Sequence, residues 1–335
     1  MKISETVART CLSPRTLGLI LMPTERCDFR CTYCYEDFAL GRMKAGIVAG
    51  VKSLLSARAP TLDELLLSWF GGEPLLALDI VEDVQRHAQD LVREFPSMRL
   101  GTHMTTNAWK LTPEVFARLL ALGVNDYQIS FDGPPEFHDR KRVRADGRPT
   151  FERLWSNVLA MRERSEPFLV RLRLHVDAEN LAAMFPFVDR CLEAFGHDSR
   201  FALFLKPLSR YGGPNDASVP VLSHSDDFRR FAELERRASR SSAPADDAPA
   251  RPAPGHGEIC YASRGNYFVV RSDGRLCKCT IVLDHPRNQV GRLHEDGTVE
   301  ISSAAVEPWM RGVWSGRESE LLCPMIGLAE PVLTR

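Results

Sequence analysis

Apolar runs and helically spaced segments alternate along the chain from residue 16 onward. TLGLILMP, ELLLSWFGG, MRLGTHMTTN, DYQISFDG, FLVRLRLHVD and RFALFLKP read as strands. Between or after them, segments 43–57, 77–95, 112–123, 150–165, 181–196 and 224–240 carry helical spacing. In the fifth of these, Leu181, Met184, Phe185, Val188, Leu192 and Phe195 recur at i, i+3, i+4 and i+7, which predicts one buried stripe. Six β–α units joined by crossover helices predict an α/β fold with a parallel sheet, either open or curled into a partial barrel. In both forms the loops at the carboxyl ends of the strands carry the chemistry.

The pattern stops at SSAPADDAPARPAPGHGE (241–258), a Pro-, Ala- and Asp-rich stretch without apolar period that reads as a linker. Beyond it, YFVVRSDGRLCKCTIV predicts a hairpin turning at Asp273-Gly274, and a second Asp-Gly pair stands at 296–297. The expected organisation is an N-terminal extension (1–15), a barrel-like domain (16–236), a linker (237–257) and a small C-terminal α+β domain (258–335). No internal repeat of solenoid length is visible.

Composition narrows the function classes. At 335 residues and 44% hydrophobic, the chain can bury a large core. Its 43 Lys+Arg against 44 Asp+Glu leave a net charge of −1, so no general basic field points to nucleic acid. The N-terminus lacks the apolar core of a signal peptide, and no apolar run reaches the ~18 residues of a membrane helix. These features predict a cytoplasmic protein without a membrane partner. Paired disulfides are rare in that compartment, and clustered cysteines there bind metal or do redox work. The odd total of nine cysteines agrees poorly with a pure disulfide framework.

Three of them crowd into RCDFRCTYCYE: Cys27, Cys31 and Cys34, directly after the first strand. Such a group is a disulfide fragment, most of a zinc site, or an iron–sulfur site one ligand short. A zinc ribbon would show a second close pair, but the next cysteine is Cys191. An electron-transfer cluster takes four thiolates, whereas three leave one iron open.

With the motifs that follow it, this stretch resembles the radical S-adenosylmethionine (SAM) superfamily and its CxxxCxxC motif. Tyr33 precedes the third cysteine, Gly71-Gly72-Glu73-Pro74 ends the second strand, and Thr105-Thr106-Asn107 ends the third. Ile129-Ser130-Phe131-Asp132-Gly133, then His138-Asp139 and Arg142, follow on the fourth. The resemblance covers roughly residues 16–215. It implies a partial (β/α)6 TIM-like barrel and a [4Fe–4S] cluster on Cys27, Cys31 and Cys34. It also implies a SAM site drawing on Tyr33, Gly71, Gly72, Glu73, Pro74, Thr106, Asn107, Ser130, Asp132 and Arg142. In this reading the glycines let backbone carbonyls approach the SAM amine. Ser130 and a nearby Arg take the carboxylate, and Asp132 accepts from a ribose hydroxyl. Reductive cleavage would give methionine and a 5′-deoxyadenosyl radical that abstracts hydrogen from substrate. An electron donor such as flavodoxin or ferredoxin is implied.

Cys260, Cys277, Cys279 and Cys323 lie beyond the linker. Cys277 and Cys279 are two apart, so on one strand they would share a face. The stretch from Cys260 through Ser272-Asp273-Gly274 to Cys279 and Val290-Gly291 resembles a twitch or SPASM domain with fewer cysteines than the full pattern. That implies a second [4Fe–4S] cluster on Cys260, Cys277, Cys279 and Cys323, with Cys279 matching the family pattern and Cys277 additional. A zinc ion held by the same four thiolates is the alternative. Cys191, beside the helix stripe, reads as a small buried hydrophobe, and Cys11 as a free thiol near the terminus.

Auxiliary-cluster members of the superfamily often act on peptides, and ISFDGP…HD…R resembles peptide-maturing ones. The expected function is maturation of a ribosomally made precursor peptide by an oxidative modification, such as a cyclophane C–C bond or another side-chain crosslink. The alternatives are a peptide epimerase, with Cys191 or Cys277 as hydrogen donor, a small-molecule dehydrogenase, and a non-catalytic iron–sulfur carrier. About 15 residues precede the first strand, too few for a leader-gripping domain, so a separate leader-recognition protein is an expected partner. The basic run RKRVR (140–144) is a candidate leader contact or a solvated face.

Overall fold

The structure, a computed structural model, describes residues 5–239, 259–326 and 328; the linker read at 241–258 lies outside them. In chain order the elements are α1 (Glu5–Leu12), β1 (Thr16–Leu21), β2 (Phe29–Cys31), α2 (Ala45–Arg58), β3 (Glu64–Trp69), α3 (Leu78–Glu94), β4 (Arg99–Thr106), α4 (Pro113–Ala121) and β5 (Asp126–Phe131). There follow α5 (Pro135–Lys141), β6 (Arg142–Arg144), α6 (Phe151–Met161), β7 (Leu169–Val176), α7 (Leu181–Phe195), β8 (Phe201–Pro207) and α8 (Ser225–Ala238). The C-terminal segment adds β9 (Tyr267–Val270), β10 (Arg275–Cys277), β11 (Gln289–Leu293), β12 (Val299–Ile301), α9 (Ser303–Val306), α10 (Arg311–Ser315) and α11 (Glu318–Leu322). Each expected strand and helix of the alternating region is present. The short β2, α5 and β6 carry too few residues for a period to show.

Two compact units do not follow chain order: one gathers the chain up to Arg26, Phe38–Thr102 and the C-terminal segment, and the other holds Cys27–Asp37 and the residues from His103 to α8. In the first unit β1 runs parallel to β3 on one side and to β9 on the other. Burial on both faces explains why TLGLIL is apolar throughout instead of alternating. From β9 the sheet continues antiparallel through β10, β11 and β12. Both Asp-Gly pairs turn as expected, with Gly274 and Gly297 at φ +86° and +89°.

Just past β1, the buried Glu25 carboxylate accepts from Arg271 Nε at 3.2 Å and from Ser272 N and Oγ at 3.1 Å. Arg271 also donates to the Leu283 carbonyl at 3.1 Å and to Asp284 at 2.9 Å. This network holds the chain leading into the cysteine loop against the C-terminal hairpin. Removing one partner strands a buried charge, so Glu25→Ala is expected to cost about 3–5 kcal/mol in urea unfolding. A cost below about 1 kcal/mol, the ceiling for an exposed pair, would show that solvent screens it.

The second unit contains β5 between β4 and β7, with β8 beyond β7, all parallel. One sheet face is apolar, carrying Tyr127, Ile129, Phe131, Val170, Leu172 and Leu174. On that side Phe131 meets Phe151, Trp155 and Phe187 at centroid distances of 5.7–6.3 Å. The opposite face alternates with it and is polar: Gln128, Ser130, Arg171, Arg173, His175 and Lys206. The α7 stripe is turned slightly from expectation. Phe187 and Cys191 are buried with Leu181, Met184, Val188 and Phe195. Phe185 instead lies 5.9 Å from the Arg230 guanidinium, and Leu192 is only partly covered.

Candidate functional site: a cysteine loop backed by a buried charge cluster

The cysteine loop belongs to the second unit and is pinned in its middle. β2 pairs antiparallel with β6, which sets Cys31 opposite Arg142. Thr32 N donates to the Lys141 carbonyl at 2.9 Å, and Cys34 N to the Cys31 carbonyl at 3.1 Å. The buried Phe29 ring anchors the strand, with the Arg142 guanidinium 5.8 Å from its centroid. Cys27 Sγ accepts from Phe29 N at 3.3 Å and from Asn107 Nδ2 at 3.9 Å, and that amide also reaches Asp28 at 2.8 Å. Burial raises the Cys31 thiol, opposed by Arg142, and pushes Cys34 up to about 12. Such thiols stay protonated at neutral pH unless a metal takes the proton's place.

Behind the loop lies a charge cluster. Arg142 Nη1 donates to Tyr33 Oη at 2.9 Å. Tyr33 Oη donates to Asp132 Oδ1 at 3.0 Å, and His175 Nδ1 meets the same oxygen at 3.0 Å. Burial favours protonation of Asp132, yet the His175 hydrogen bond and the nearby cations hold its carboxyl down to about 2. Its other oxygen, Oδ2, is buried without a hydrogen-bond partner among the described residues, as is Arg142 Nε. His138 Nδ1 accepts from Asp132 N at 3.3 Å, and its Nε2 meets Thr150 Oγ1 at 3.1 Å. Asn180 Nδ2 bridges the Asp132 and His175 carbonyls at 3.0 and 2.9 Å, tying the ends of β5 and β7.

Other expected site residues have local roles as well. Thr106 Oγ1 accepts from Ala108 N at 3.0 Å, and Ser130 is buried on β5 beside Arg173. In the first unit, Gly71 sits at φ +106°, where an added Cβ would stand 2.4 Å from the Thr24 carbonyl oxygen. At Gly72 it would stand 2.5 Å from that of Arg26. The turn after β3 therefore crosses the segment after β1 at backbone contact, and only glycine fits. The Glu73 carboxylate caps Leu75 N at 3.0 Å, and Pro74 opens the short helical turn that follows.

The C-terminal cysteines divide. Cys260 N donates to the Leu321 carbonyl at 2.9 Å, bringing Cys260 towards Cys323. Tyr261 Oη meets Thr280 N and Oγ1 at 3.0 Å, bringing it towards Cys279. Burial raises the Cys260 and Cys279 thiols, Cys260 to about 11, and the neighbouring Cys323 adds to the rise at both. Cys279 Sγ accepts from Ile281 N at 3.4 Å. Cys277 is placed elsewhere: β10 ends at it, and it packs in an apolar cluster with Ile20, Met22, Leu66, Tyr267 and Val269. Cys277 and Cys279 therefore do not share a strand face. Lys278 between them turns inward, to the Tyr267 carbonyl at 2.7 Å.

Two expectations are corrected. Cys11 is not an open terminal thiol but lies in α1, 1% exposed, packed with Met310, Val313 and Leu321. Nor is RKRVR a solvated face throughout. Lys141 is buried against Asp177, and Arg142 against Tyr33, because β6 must pair with the cysteine loop.

Among the described residues no three His, Cys, Asp or Glu side chains are grouped as one metal ion would require. The thiol donors, with N–H groups on the Cys27 and Cys279 sulfurs, are of the kind a metal ion or an iron–sulfur cluster takes.

The family profile described as the Radical SAM superfamily matches residues 21–176. Over that segment the chain is similar to the radical SAM superfamily. The PqqA peptide cyclase of Rhizobium meliloti (strain 1021) is 32% identical over 146 residues, 41% of this chain and 37% of that protein. Similar matches to other PqqA peptide cyclases span 30% and 29% of their length. The AdoMet-dependent heme synthase of Methanosarcina barkeri is 28% identical over 68% of this chain and 60% of its own. Among solved structures, native anSMEcpe with bound AdoMet and Cp18Cys peptide superposes with a TM-score of 0.63 at 18% identity, covering 87% of this chain and 80% of that one. That likeness shows the fold, an α/β core with a partial barrel-like sheet and a smaller C-terminal region.

His175 and Asn180 had no motif in the sequence to mark them. The alternation Arg171, Arg173, His175 was the one signal that a polar face continued past Asp132. His138 is neutral by construction, since its Nδ1 accepts from a backbone N–H. Burial holds its pKa at about 3 and that of His175 at about 4. Unfolded histidines titrate near 6.5. Between those values the unfolded chain binds more protons, so the stability these groups contribute is complete above about pH 6.5 and lost as pH falls toward 4. The thermal midpoint of cluster-free protein is expected to fall over that window, less steeply in His138→Gln. An unchanged slope in the variant would show that His138 titrates normally.

Proposed function

We propose that this chain is a radical SAM peptide maturase that installs an oxidative crosslink in a ribosomally made precursor. The main support is the cysteine loop backed by Tyr33, Asp132, His175 and Arg142, with Asp132 Oδ2 and Arg142 Nε awaiting partners. The likeness to PqqA peptide cyclases supports the peptide substrate.

Cys27, Cys31 and Cys34 would hold one [4Fe–4S] cluster, and Cys260, Cys279 and Cys323 a second. Cys277 is assigned a packing role. The bound cluster supplies the electron that cleaves SAM into methionine and a hydrogen-abstracting 5′-deoxyadenosyl radical. The chain's own part is to bind and orient. Asp132, ionised at neutral pH, presents Oδ2 to a ribose hydroxyl, while Tyr33 and His175 fix Oδ1. Arg142 and Ser130 would take the SAM carboxylate. Asn107 and the Phe29 amide donate to Cys27 Sγ, which lowers the charge density on that thiolate. The Gly71–Pro74 turn is proposed for the amine. A flavodoxin- or ferredoxin-like donor would supply electrons.

The test is product mass after reaction in deuterium oxide with a precursor peptide sought among short reading frames beside the gene. A crosslink removes a pair of hydrogens and places no solvent deuterium at the reacting carbon. An unchanged formula with one deuterium would overturn the oxidative reading in favour of epimerisation. The heme synthase relative favours a second reading, a small-molecule substrate, which turnover of the peptide would eliminate.

A further inference from the structure

We infer that Arg173 and Lys206, on the polar sheet face of the second unit, form a subsite for a substrate carboxylate. The proposal deepens the peptide-maturase reading and rests on it for the ligand, an acidic side chain or free C-terminus of a peptide. The strand registers place the pair. Ser130, Arg173 and Phe204 share one row, and His175 and Lys206 occupy the next, toward the carboxyl ends of the strands. Paired residues of neighbouring strands share a face, and His175 on this face meets Tyr33 Oη at 3.0 Å. The two cations therefore stand on the side of the sheet that carries the cysteine loop. As diagonal neighbours they are within joint reach of one anion.

Their neighbours show what is unusual about them. Arg171 is paired with Asp126, which also meets His103 Nδ1 at 3.2 Å. Lys141 is paired with Asp177, and Arg142 bonds Tyr33 Oη at 2.9 Å. The carboxylate nearest in register, Asp132, spends Oδ1 on Tyr33 and His175. Arg173 Nε is buried without a partner, and neither Arg173 nor Lys206 forms an ion pair among the described residues. Placing unpaired cations side by side in a partly desolvated position is unfavourable, and an arriving carboxylate relieves it. The Arg fork suits bidentate contact and Lys adds a point charge. Phe204, in the same row as Arg173, offers an apolar wall to the methylenes of an acidic side chain.

The test uses anaerobic holoenzyme with SAM bound and two probe pairs. N-acetylglutamate α-methylamide is compared with its glutamine twin, and N-acetylalanine with its methylamide. Affinities are read by ligand-observed NMR. Wild type is expected to prefer one carboxylate probe by roughly tenfold, the effect of one charge-assisted hydrogen bond. The pair that shows the preference distinguishes side chain from C-terminus. Arg173→Gln and Lys206→Gln should each abolish it and leave SAM affinity unchanged. No carboxylate preference in wild type, including no binding of either twin, overturns the proposal. So does loss of SAM affinity in the variants with the probe preference intact, which would assign the cations to SAM. Deoxyadenosine formation by wild type in the same samples checks the radical SAM reading separately. Its absence beside an intact probe preference would defeat that reading and leave the subsite standing.

Discussion

Replacing Cys27, Cys31 and Cys34 together by Ala is expected to abolish 5′-deoxyadenosine formation and halve the iron of anaerobically reconstituted protein. Two clusters of four irons predict a fall from about eight to about four per chain. The complete loss follows from removing every proposed thiolate ligand of the first cluster at once. Burial pushes the Cys34 thiol up to about 12, so it stays protonated at neutral pH unless a metal takes the proton's place. The loop itself should survive the substitutions. Its β2–β6 pairing, the buried Phe29 and the Thr32 bond to Lys141 involve no cysteine sulfur. Circular dichroism that matches wild type, with iron halved and cleavage absent, is the expected set. Persisting deoxyadenosine formation would show that the first cluster lies elsewhere.

Cys279→Ala and Cys277→Ala are expected to part company although the residues are two apart. Loss of Cys279 should remove the second cluster's iron and depress crosslinked product far more than deoxyadenosine. A substrate radical that has lost hydrogen still has to lose an electron, and the second cluster is the proposed acceptor. Cys277→Ala should keep its iron and cost about 1 kcal/mol of stability, as expected for trimming a core side chain. The distinction comes from placement: Cys279 Sγ accepts a backbone N–H near Cys260 and Cys323, whereas Cys277 packs on Ile20, Met22 and Val269. Loss of iron in Cys277→Ala would return it to the ligand set. Equal loss of product and deoxyadenosine in Cys279→Ala would assign the C-terminal segment to folding.

Much of this was legible in order along the chain. The alternating runs from Thr16 to Pro207 specify the parallel strands because a strand buried on both faces must be apolar, and its connecting helix must show a stripe. The Asp-Gly pairs specify their turns because φ above +80° suits glycine. The cysteine spacing and the glycine pair were visible because the chemistry is confined to a few consecutive residues.

What only the tertiary structure decided are the relations between residues far apart in sequence. Arg142 faces Cys31 through strands of three residues each, too short to carry a period. His175 reaches Asp132 from a separate strand, and Asn180 reaches both from the start of a helix. Glu25 finds Arg271 across 246 residues of chain. The same limit governs the cysteines. Period two predicted a shared face for Cys277 and Cys279, but β10 stops at Cys277, and the Lys278 ammonium turns inward to backbone carbonyls. Sequence determines where a side chain can point along its own element. Which element it then meets is settled by packing, where buried charges must find partners and apolar sulfur is as content in a core as in a metal site.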